Sequence, residues 1–260
     1  MLDVKALVER YATIDEPVPL KDGLLIYPIL VKDYYTWHHC SDILNIDKNS
    51  IPDVQIIQMN YLDFLLQVAI ADDTIVDGDI TIGMYRTMQL LDILALCFHI
   101  EKNEIKVQTK GKHIVLVLKD IEVNHNEFEQ FMKIVKFQNI YQYDDTYIDP
   151  EVKKTIEEYY SIKNQGISMP ELEDKMACLT AMTGILKKDL VQMTYREFEQ
   201  VFHRATERID YQVQKTAELS GMVKFDKPVE HWIYQKKKSL YQDAFTSYEG
   251  FRNKIESANG

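Results

Sequence analysis

The segment GISMPELEDKMACLTAMTGILKKDLVQMTYREFEQVFHRATERIDYQVQKTAELSGMV, residues 166–223, carries the clearest helical pattern in the chain. Two Ser/Thr-x-x-Glu sequences, beginning at Ser168 and Thr194, match the capping box that satisfies free backbone N–H groups at a helix start. Gly184 and Gly221 follow at positions where helices commonly end, because glycine readily adopts the left-handed conformation. The segment therefore predicts two helices with a short turn of helix over residues 186–193 between them, and it offers no nucleophile paired with a base and no metal-ligand spacing.

The rest of the second half follows the same helical pattern. Pro150, directly after Asp149, predicts the start of a helix, and the residues from Pro228 to Lys238 predict a last short one. Residues 141–147 are acidic and are predicted to be a linker. We therefore expect an all-α helical domain, a bundle, over residues 148–260.

The first half, residues 1–140, predicts an α+β domain. Residues 105–109 alternate between apolar and polar side chains, residues 110–112 form a turn sequence, and residues 114–121 are mostly apolar. This pattern predicts an antiparallel hairpin. The expected fold class is therefore α+β but predominantly α, with N-terminal helices packed on a small antiparallel sheet.

Helical spacing of apolar residues predicts the other elements of the first half. Helices are expected at residues 2–11, 33–44, 50–66 and from 82 onward, with a strand at 24–27 and an acidic loop at 71–79. The helix from Ile82 has apolar residues on nearly all sides, which predicts burial among other helices. Asn124 with Glu127 forms a further capping box and predicts a helix after the hairpin.

Composition limits the possible functions. The chain has 260 residues, is 46% hydrophobic and carries a formal net charge of −11. A negative field opposes approach to nucleic acid or an anionic membrane, so both are unlikely partners. Three widely spaced cysteines set among apolar residues are typical of reduced thiols. No apolar run is long enough to span a bilayer, so we expect a soluble, cytoplasmic protein.

Two polar clusters resemble metal sites without matching one. His38, His39 and Cys40 are adjacent, so at most two of them can share one face of a helix, and no second ligand pair matches them. The aspartates at 72, 73, 77 and 79 lack the alternation and closing Glu of a calcium loop. We therefore predict no metal, no cofactor and no catalytic residues.

The C-terminal region offers the only candidate contact residues. Trp232 and Tyr234 precede a basic run formed by Lys236, Lys237 and Lys238. Aromatic rings beside cations suit either a protein partner or single-stranded nucleic acid, although the net charge disfavours the latter. A third interpretation is that Trp232 packs the last helix onto the bundle.

The run LTAMTGILKKDLVQMTYREFEQVFHRATERIDYQVQKTAELSG, residues 179–221, resembles tail assembly chaperones of tailed bacteriophages. The resemblance lies in a short helix ending at glycine and a step from Lys188-Asp189-Leu190 through Met193-Thr194 into a long helix. In the first half, the sequences at residues 26–28, 33–34 and 61–64 resemble phage proteins of Gram-positive hosts.

The resemblance implies a non-enzymatic role. Such chaperones hold the tape-measure protein until tail-tube subunits polymerise around it, so the implied partners are tape-measure, tail-tube or baseplate proteins, and an oligomer is possible. The implied location is the host cytoplasm. The additional α+β half is also compatible with a structural tail or baseplate component, which would be found in the virion. A helical regulatory or nucleic-acid-associated protein remains the alternative outside phage assembly.

Overall fold

The computed structural model describes residues 4–48, 51–111, 113–143, 145, 150–163, 170–221, 223–225 and 227–234. It is predominantly helical with small antiparallel sheets, which confirms the expected α+β class. The chain forms two compact units. The first comprises Met1–Tyr141 with Leu186–Gln200, and the second comprises Gln142–Ile185 with Val201–Gly260.

The elements of the first unit are short apart from two helices. Its helices are α1 (Val4–Ala12), α2 (Tyr34–Cys40), α3 (Val54–Gln58), α4 (Tyr61–Phe64, continued by a π-helical turn, Leu65–Ala69), α5 (Ile82–Phe98) and α6 (His125–Asn139). Its strands are β1 (Val18–Lys21), β2 (Leu24–Ile26), β3 (Ile75–Asp77), β4 (Ile80–Thr81), β5 (Ile105–Lys110), β6 (His113–Leu118) and β7 (Ile121–Val123).

The elements of the second unit are helical. They are α7 (Pro150–Lys163), α8 (Leu172–Thr183) and most of α10 (Tyr195–Ser220), with a 3-10 turn at Trp232–Tyr234. The short helix α9 (Lys187–Leu190) and the start of α10 belong to the first unit. In place of the expected last helix over 228–238, the described residues form only the 3-10 turn, and the positions from 235 onward lie outside the described residues.

Strands β5, β6 and β7 form an antiparallel meander in that order. Ile105 pairs with Leu118 and Lys110 with His113, as expected for the predicted hairpin. The second strand was expected to continue to residue 121, but it ends at Leu118. Lys119 and Asp120 both have positive φ, 48° and 64°, which is typical of a two-residue type I′ turn, and β7 follows.

Local side-chain caps explain another correction. Asp53 accepts a hydrogen bond from the Gln55 N–H at 2.8 Å and is the cap of α3, which begins at Val54. Asn60 Oδ1 accepts one from the Asp63 N–H, also at 2.8 Å, and begins α4. The single helix expected over 50–66 is therefore two helices, because the side chain of Asn60 competes with helical continuation.

The expected loop at 71–79 contains strand β3, which pairs with β4 around Gly78. Likewise, Val18–Lys21 forms a strand despite Pro19, because it pairs only with β2 at an edge.

The predicted capping box at Asn124 is confirmed. Asn124 Oδ1 accepts from the Glu127 N–H at 3.1 Å, and Glu127 Oε2 accepts from the Asn124 N–H at 2.8 Å. Thr194 Oγ1 likewise accepts from the Glu197 N–H at 3.2 Å. Glu171 itself is the cap of α8, whereas Ser168 and Asp149 lie outside the described residues.

The segment after α9 joins the first unit through backbone hydrogen bonds. Leu30 and Thr194 form an antiparallel bridge. The Val31 N–H donates to the Met193 carbonyl at 3.0 Å, and the Tyr195 N–H donates to the Ile29 carbonyl at 2.7 Å. These bonds place Leu186–Gln200 outside the helical unit, whereas the predicted domain 148–260 included it.

The core of the first unit is formed where α6 packs against α1 and α4, α5 packs against α2, and α4 meets β6. Its fully buried side chains are mainly aliphatic and phenylalanine residues. They include Ile93, Leu94, Phe98, Leu116, Phe128, Phe131, Ile134 and Val135.

Candidate partner-binding surfaces

The predicted contact residues Trp232 and Tyr234 belong to an aromatic cluster of the second unit. The ring of His231 lies 4.9 Å from that of Tyr211 on α10, 5.8 Å from Trp232 and 6.0 Å from Tyr234. The Val229 N–H donates to Glu218 Oε1 at 2.9 Å and so anchors the segment along the same helix.

Exposure differs between the two predicted aromatic residues. Trp232 is half-buried, while Tyr234 is 78% exposed. The predicted residues Lys236, Lys237 and Lys238 lie outside the described residues. The structure therefore brings Trp232 and Tyr234 to one cluster, but it does not describe the basic run beside them.

A larger apolar surface, missed in the sequence, lies on the first unit. Met84, Tyr85 and Met88 of α5 are 54%, 37% and 43% exposed. Residues three and four positions apart lie on one side of a helix, so Met88 is a neighbour of both Tyr85 and Met84. The predicted burial of α5 among other helices therefore holds for only part of its surface. The helix buries the side that carries Ile93 and Leu94 and exposes the side that carries the methionines.

Helix α2 extends this surface. The ring of His39 meets that of Tyr85 edge-on at 5.1 Å, and buried Gln89 donates from Nε2 to the His39 carbonyl at 2.7 Å. Tyr35 lies one turn before His39 and is also exposed. We call Tyr35, His39, Ile80, Met84, Tyr85 and Met88 the methionine–aromatic surface.

The hairpin of β3 and β4 leads directly into α5 and borders the surface. The Ile82 N–H donates to the Thr74 carbonyl at 2.8 Å, and Thr81 Oγ1 accepts from the Met84 N–H at 3.1 Å as the cap of α5. Ile75, Val76 and Ile80 are all exposed on this hairpin. The aspartates of this hairpin, which resemble a calcium loop in the sequence, form an acidic edge beside the exposed apolar side chains.

The start of α5 requires glycine. A Cβ at Gly83 would lie 1.9 Å from the Ile70 carbonyl oxygen and 3.0 Å from that of Asp72. The Gly83 N–H also donates to the Asp72 carbonyl at 2.8 Å. This close backbone approach fixes the angle at which the acidic hairpin meets the helix.

Arg86 links α5 to the residues that precede the acidic hairpin. Its guanidinium contacts Asp72 Oδ2 at 3.3 Å and donates to the Ala69 carbonyl at 3.0 Å. Hydrogen bonds from Thr74, with a further contribution from Arg86, lower the pKa of Asp72. Asp72 is therefore anionic at neutral pH, and Arg86 supplies its counter-charge.

The adjacent His38, His39 and Cys40 have different surroundings in the structure. Among the described residues, no group of three or more His, Cys, Asp or Glu side chains could hold a metal ion. Cys40 is buried, and its burial, with Asp92 nearby, raises the pKa of its thiol to about 12. His38 instead lies against the ring of Tyr34, with centroids 5.6 Å apart.

Helix α10 has a smaller exposed apolar stripe in the second unit. Lys175 of α8 lies over the ring of Phe202 at 5.7 Å. Two turns further on, Ile209 is 43% exposed and, one turn later, Val213 is 65% exposed. These two side chains match the methionines of the first unit in exposure, which makes them suitable control positions.

Comparison with known proteins gives no relative. No family model, no curated protein and no solved structure matches the chain. Within the described residues, the helices are too short or too polar to cross a membrane. The resemblance to tail assembly chaperones, and the expectation of a non-enzymatic protein, therefore stay predictions.

Proposed function

We propose that this protein is a non-enzymatic assembly factor that holds a segment of another protein on its methionine–aromatic surface. The observation that carries the proposal is the joint exposure of Met84, Tyr85 and Met88 on a helix whose opposite side is buried in the core. Exposed apolar side chains that are grouped on one side of a helix mark interaction sites in soluble proteins.

The chemistry of the surface suits a holding function. Methionine side chains are flexible and polarisable, so they adapt to partners of different shape. Tyr35 and Tyr85 add large rings whose hydroxyl groups tolerate water when the partner leaves. Burial of apolar surface contributes about 25 cal/mol per Å², so a partner that covers these exposed side chains is stabilised by their removal from water.

The resemblance to tail assembly chaperones gives the proposal its setting. The partner is then a tape-measure or tail-tube protein, held in the host cytoplasm until the tail polymerises. The net charge of −11 keeps such a complex soluble. The second candidate is a structural tail or baseplate component, for which the same surface is a permanent interface.

Co-expression of the tagged full-length chain with candidate tail proteins tests the proposal. We expect capture of a tail protein by the wild type, loss of capture by the Met84→Ser/Met88→Ser variant, and retention by Ile209→Ser/Val213→Ser. The control removes equally exposed apolar groups from the second unit. Capture that both variants retain equally would exclude the methionine–aromatic surface.

Mass spectrometry of purified particles separates the two candidates. A chaperone is absent from mature virions, whereas a structural component is present in fixed copy number. If neither capture nor presence in particles is found, the phage setting is wrong, and the cluster of Trp232 and Tyr234 becomes the next surface to test.

A further inference from the structure

Charge is distributed unevenly along the methionine–aromatic surface. The sequence from residue 71 to residue 81 contains four aspartates and no lysine or arginine. The only cation between residues 71 and 92 is Arg86, and its guanidinium is already engaged by Asp72 and the Ala69 carbonyl. The border of the surface is therefore anionic.

The aspartates and the apolar side chains of the hairpin are exposed together. Asp73, Asp77 and Asp79 are exposed, as are Ile75, Val76 and Ile80. Asp77 pairs with Ile80 in the two-stranded ladder, so an anion and an apolar side chain stand at neighbouring positions. A partner on this hairpin must satisfy both kinds of contact.

The hairpin is held against α5 rather than free of it. The Ile82 N–H bonds the Thr74 carbonyl, and the Gly83 N–H bonds the Asp72 carbonyl, each at 2.8 Å. Further along the same side of α5, Asp92 is paired with Lys102, so its charge is already compensated. The apolar strip formed by Met84, Tyr85 and Met88 therefore begins beside three exposed aspartates.

We propose that the partner segment is a cationic amphipathic helix; this inference rests on the function proposed above. Its apolar face covers Met84, Tyr85 and Met88, and its lysines or arginines lie beside Asp73, Asp77 and Asp79. Helices that bind apolar surfaces present side chains at three- and four-residue spacing. An opposite charge at the border accelerates encounter and selects against acidic partners.

The lengths of the strands favour a helix over an added strand. β3 has three residues and β4 has two, which leaves too few backbone groups for a stable ladder with a partner chain. The strip on α5, by contrast, continues along the helix from Met84 to Met88. Side-chain contact with a helix therefore uses more of this surface than strand pairing does.

Fluorescence anisotropy with the full-length chain and synthetic peptides tests the inference. The probe is a labelled leucine–lysine amphipathic peptide of about five turns, or about 18 residues. One control peptide replaces every lysine with glutamate, and the other has the same composition in scrambled order. We expect the leucine–lysine peptide to bind more tightly than both, with an affinity that falls as salt screens the charges.

Variants identify the site of binding. Asp73→Asn/Asp77→Asn/Asp79→Asn is expected to weaken the Kd by about tenfold, equivalent to ~1.4 kcal/mol. The matched control, Glu129→Gln/Asp189→Asn/Asp210→Asn, removes three exposed charges elsewhere and is expected to leave the Kd near that of the wild type. Equal weakening by both triple variants would show binding to the overall charge and overturn the inference.

The outcomes separate this inference from the proposed function. Binding of the glutamate peptide as tightly as the lysine peptide, lost in Met84→Ser/Met88→Ser, overturns the cationic class but leaves the surface as a holding site. If the leucine–lysine peptide still binds both Met84→Ser/Met88→Ser and Asp73→Asn/Asp77→Asn/Asp79→Asn, then cationic helices bind elsewhere on the protein and the inference is wrong. Failure of capture in the co-expression experiment, with peptide binding intact, overturns the phage partner alone.

Discussion

The buried side chain of Asn139 accepts the backbone N–H of Ile29 at 2.8 Å. Its amide nitrogen donates to the Val135 carbonyl at 2.9 Å, so both ends of the side chain are satisfied inside the core. On its other side, the Ile29 carbonyl accepts the N–H of Tyr195. Asn139, at the end of α6, therefore holds the backbone of Ile29 in place, and Ile29 in turn bonds the start of α10 at Tyr195.

Asn139→Ala is expected to lower the free energy of unfolding by about 1–3 kcal/mol, because it leaves the Ile29 N–H buried without an acceptor. Urea denaturation followed by circular dichroism measures the change. Asn126→Ala, at an exposed position on the same helix, serves as the control. Equal midpoints for the two variants would mean that the Asn139 bond contributes nothing to stability.

Elements that depend on neighbours in sequence could be predicted. The box of Asn124 and Glu127 was predicted because its two partners are three residues apart and need no tertiary context. The end of one helix and the start of another near Asn60 were not predicted. The apolar residues on both sides of Asn60 continue at helical spacing, which indicates a single helix, whereas the Asn60 side chain caps a new one.

Features that depend on distant contacts could not be predicted. The bridge between Leu30 and Thr194 joins residues far apart in sequence, and neither residue type carries a signal for it. The exposure of Met84 and Met88 was missed because helical periodicity alone does not say which apolar side of a helix lacks a neighbour. A cluster of methionines beside an acidic segment was the available signal.

Gly83→Ala is expected to destabilise the first unit and to disturb the acidic hairpin. The new Cβ would lie 1.9 Å from the Ile70 carbonyl oxygen, so backbone must move, at a cost of about 3 kcal/mol or more. In Gly78→Ala nothing lies within 4 Å of the new Cβ, and only left-handed strain of about 1–2 kcal/mol remains. Urea midpoints rank the two variants; the reverse order would disprove the close packing at Gly83.

Thiol reactivity should distinguish the three cysteines. Cys40 and Cys97 are buried, and burial raises the pKa of each thiol, to about 12 for Cys40. Cys178 on α8 is exposed. Because the thiolate is the reactive form, a thiol reagent at neutral pH should label one site in the folded protein and three in urea.

The Cys178→Ser variant provides the control for that labelling. It should show no rapid labelling when folded and two labelled sites in urea. Peptide mapping by mass spectrometry identifies the modified residue. Rapid modification of Cys40 in the native protein would show that α2 opens readily, in conflict with its packed position.

Glu197 is expected to make stability depend on pH. Its partial burial, and secondarily the charge of Asp15, raise the pKa of this carboxyl above its ordinary value of 4.5. Thr194 links the two groups, since its Oγ1 donates to Asp15 Oδ1 at 3.3 Å and accepts the Glu197 N–H. The folded state therefore binds the Glu197 proton more tightly than the unfolded state does. This contribution to stability is present below the unfolded pKa and is lost as pH rises through the folded one.

Glu197→Gln is consequently expected to raise the urea midpoint at neutral pH, where the wild type must keep a charge near Asp15. The gain should shrink as pH falls through the raised folded pKa and be absent below about 4.5, because Glu197 is then protonated in both states. Glu129→Gln, at an exposed position on α6, removes a carboxylate without this neighbour and should show no comparable pH dependence. A gain for Glu197→Gln that is the same at every pH would point to packing rather than charge at the start of α10.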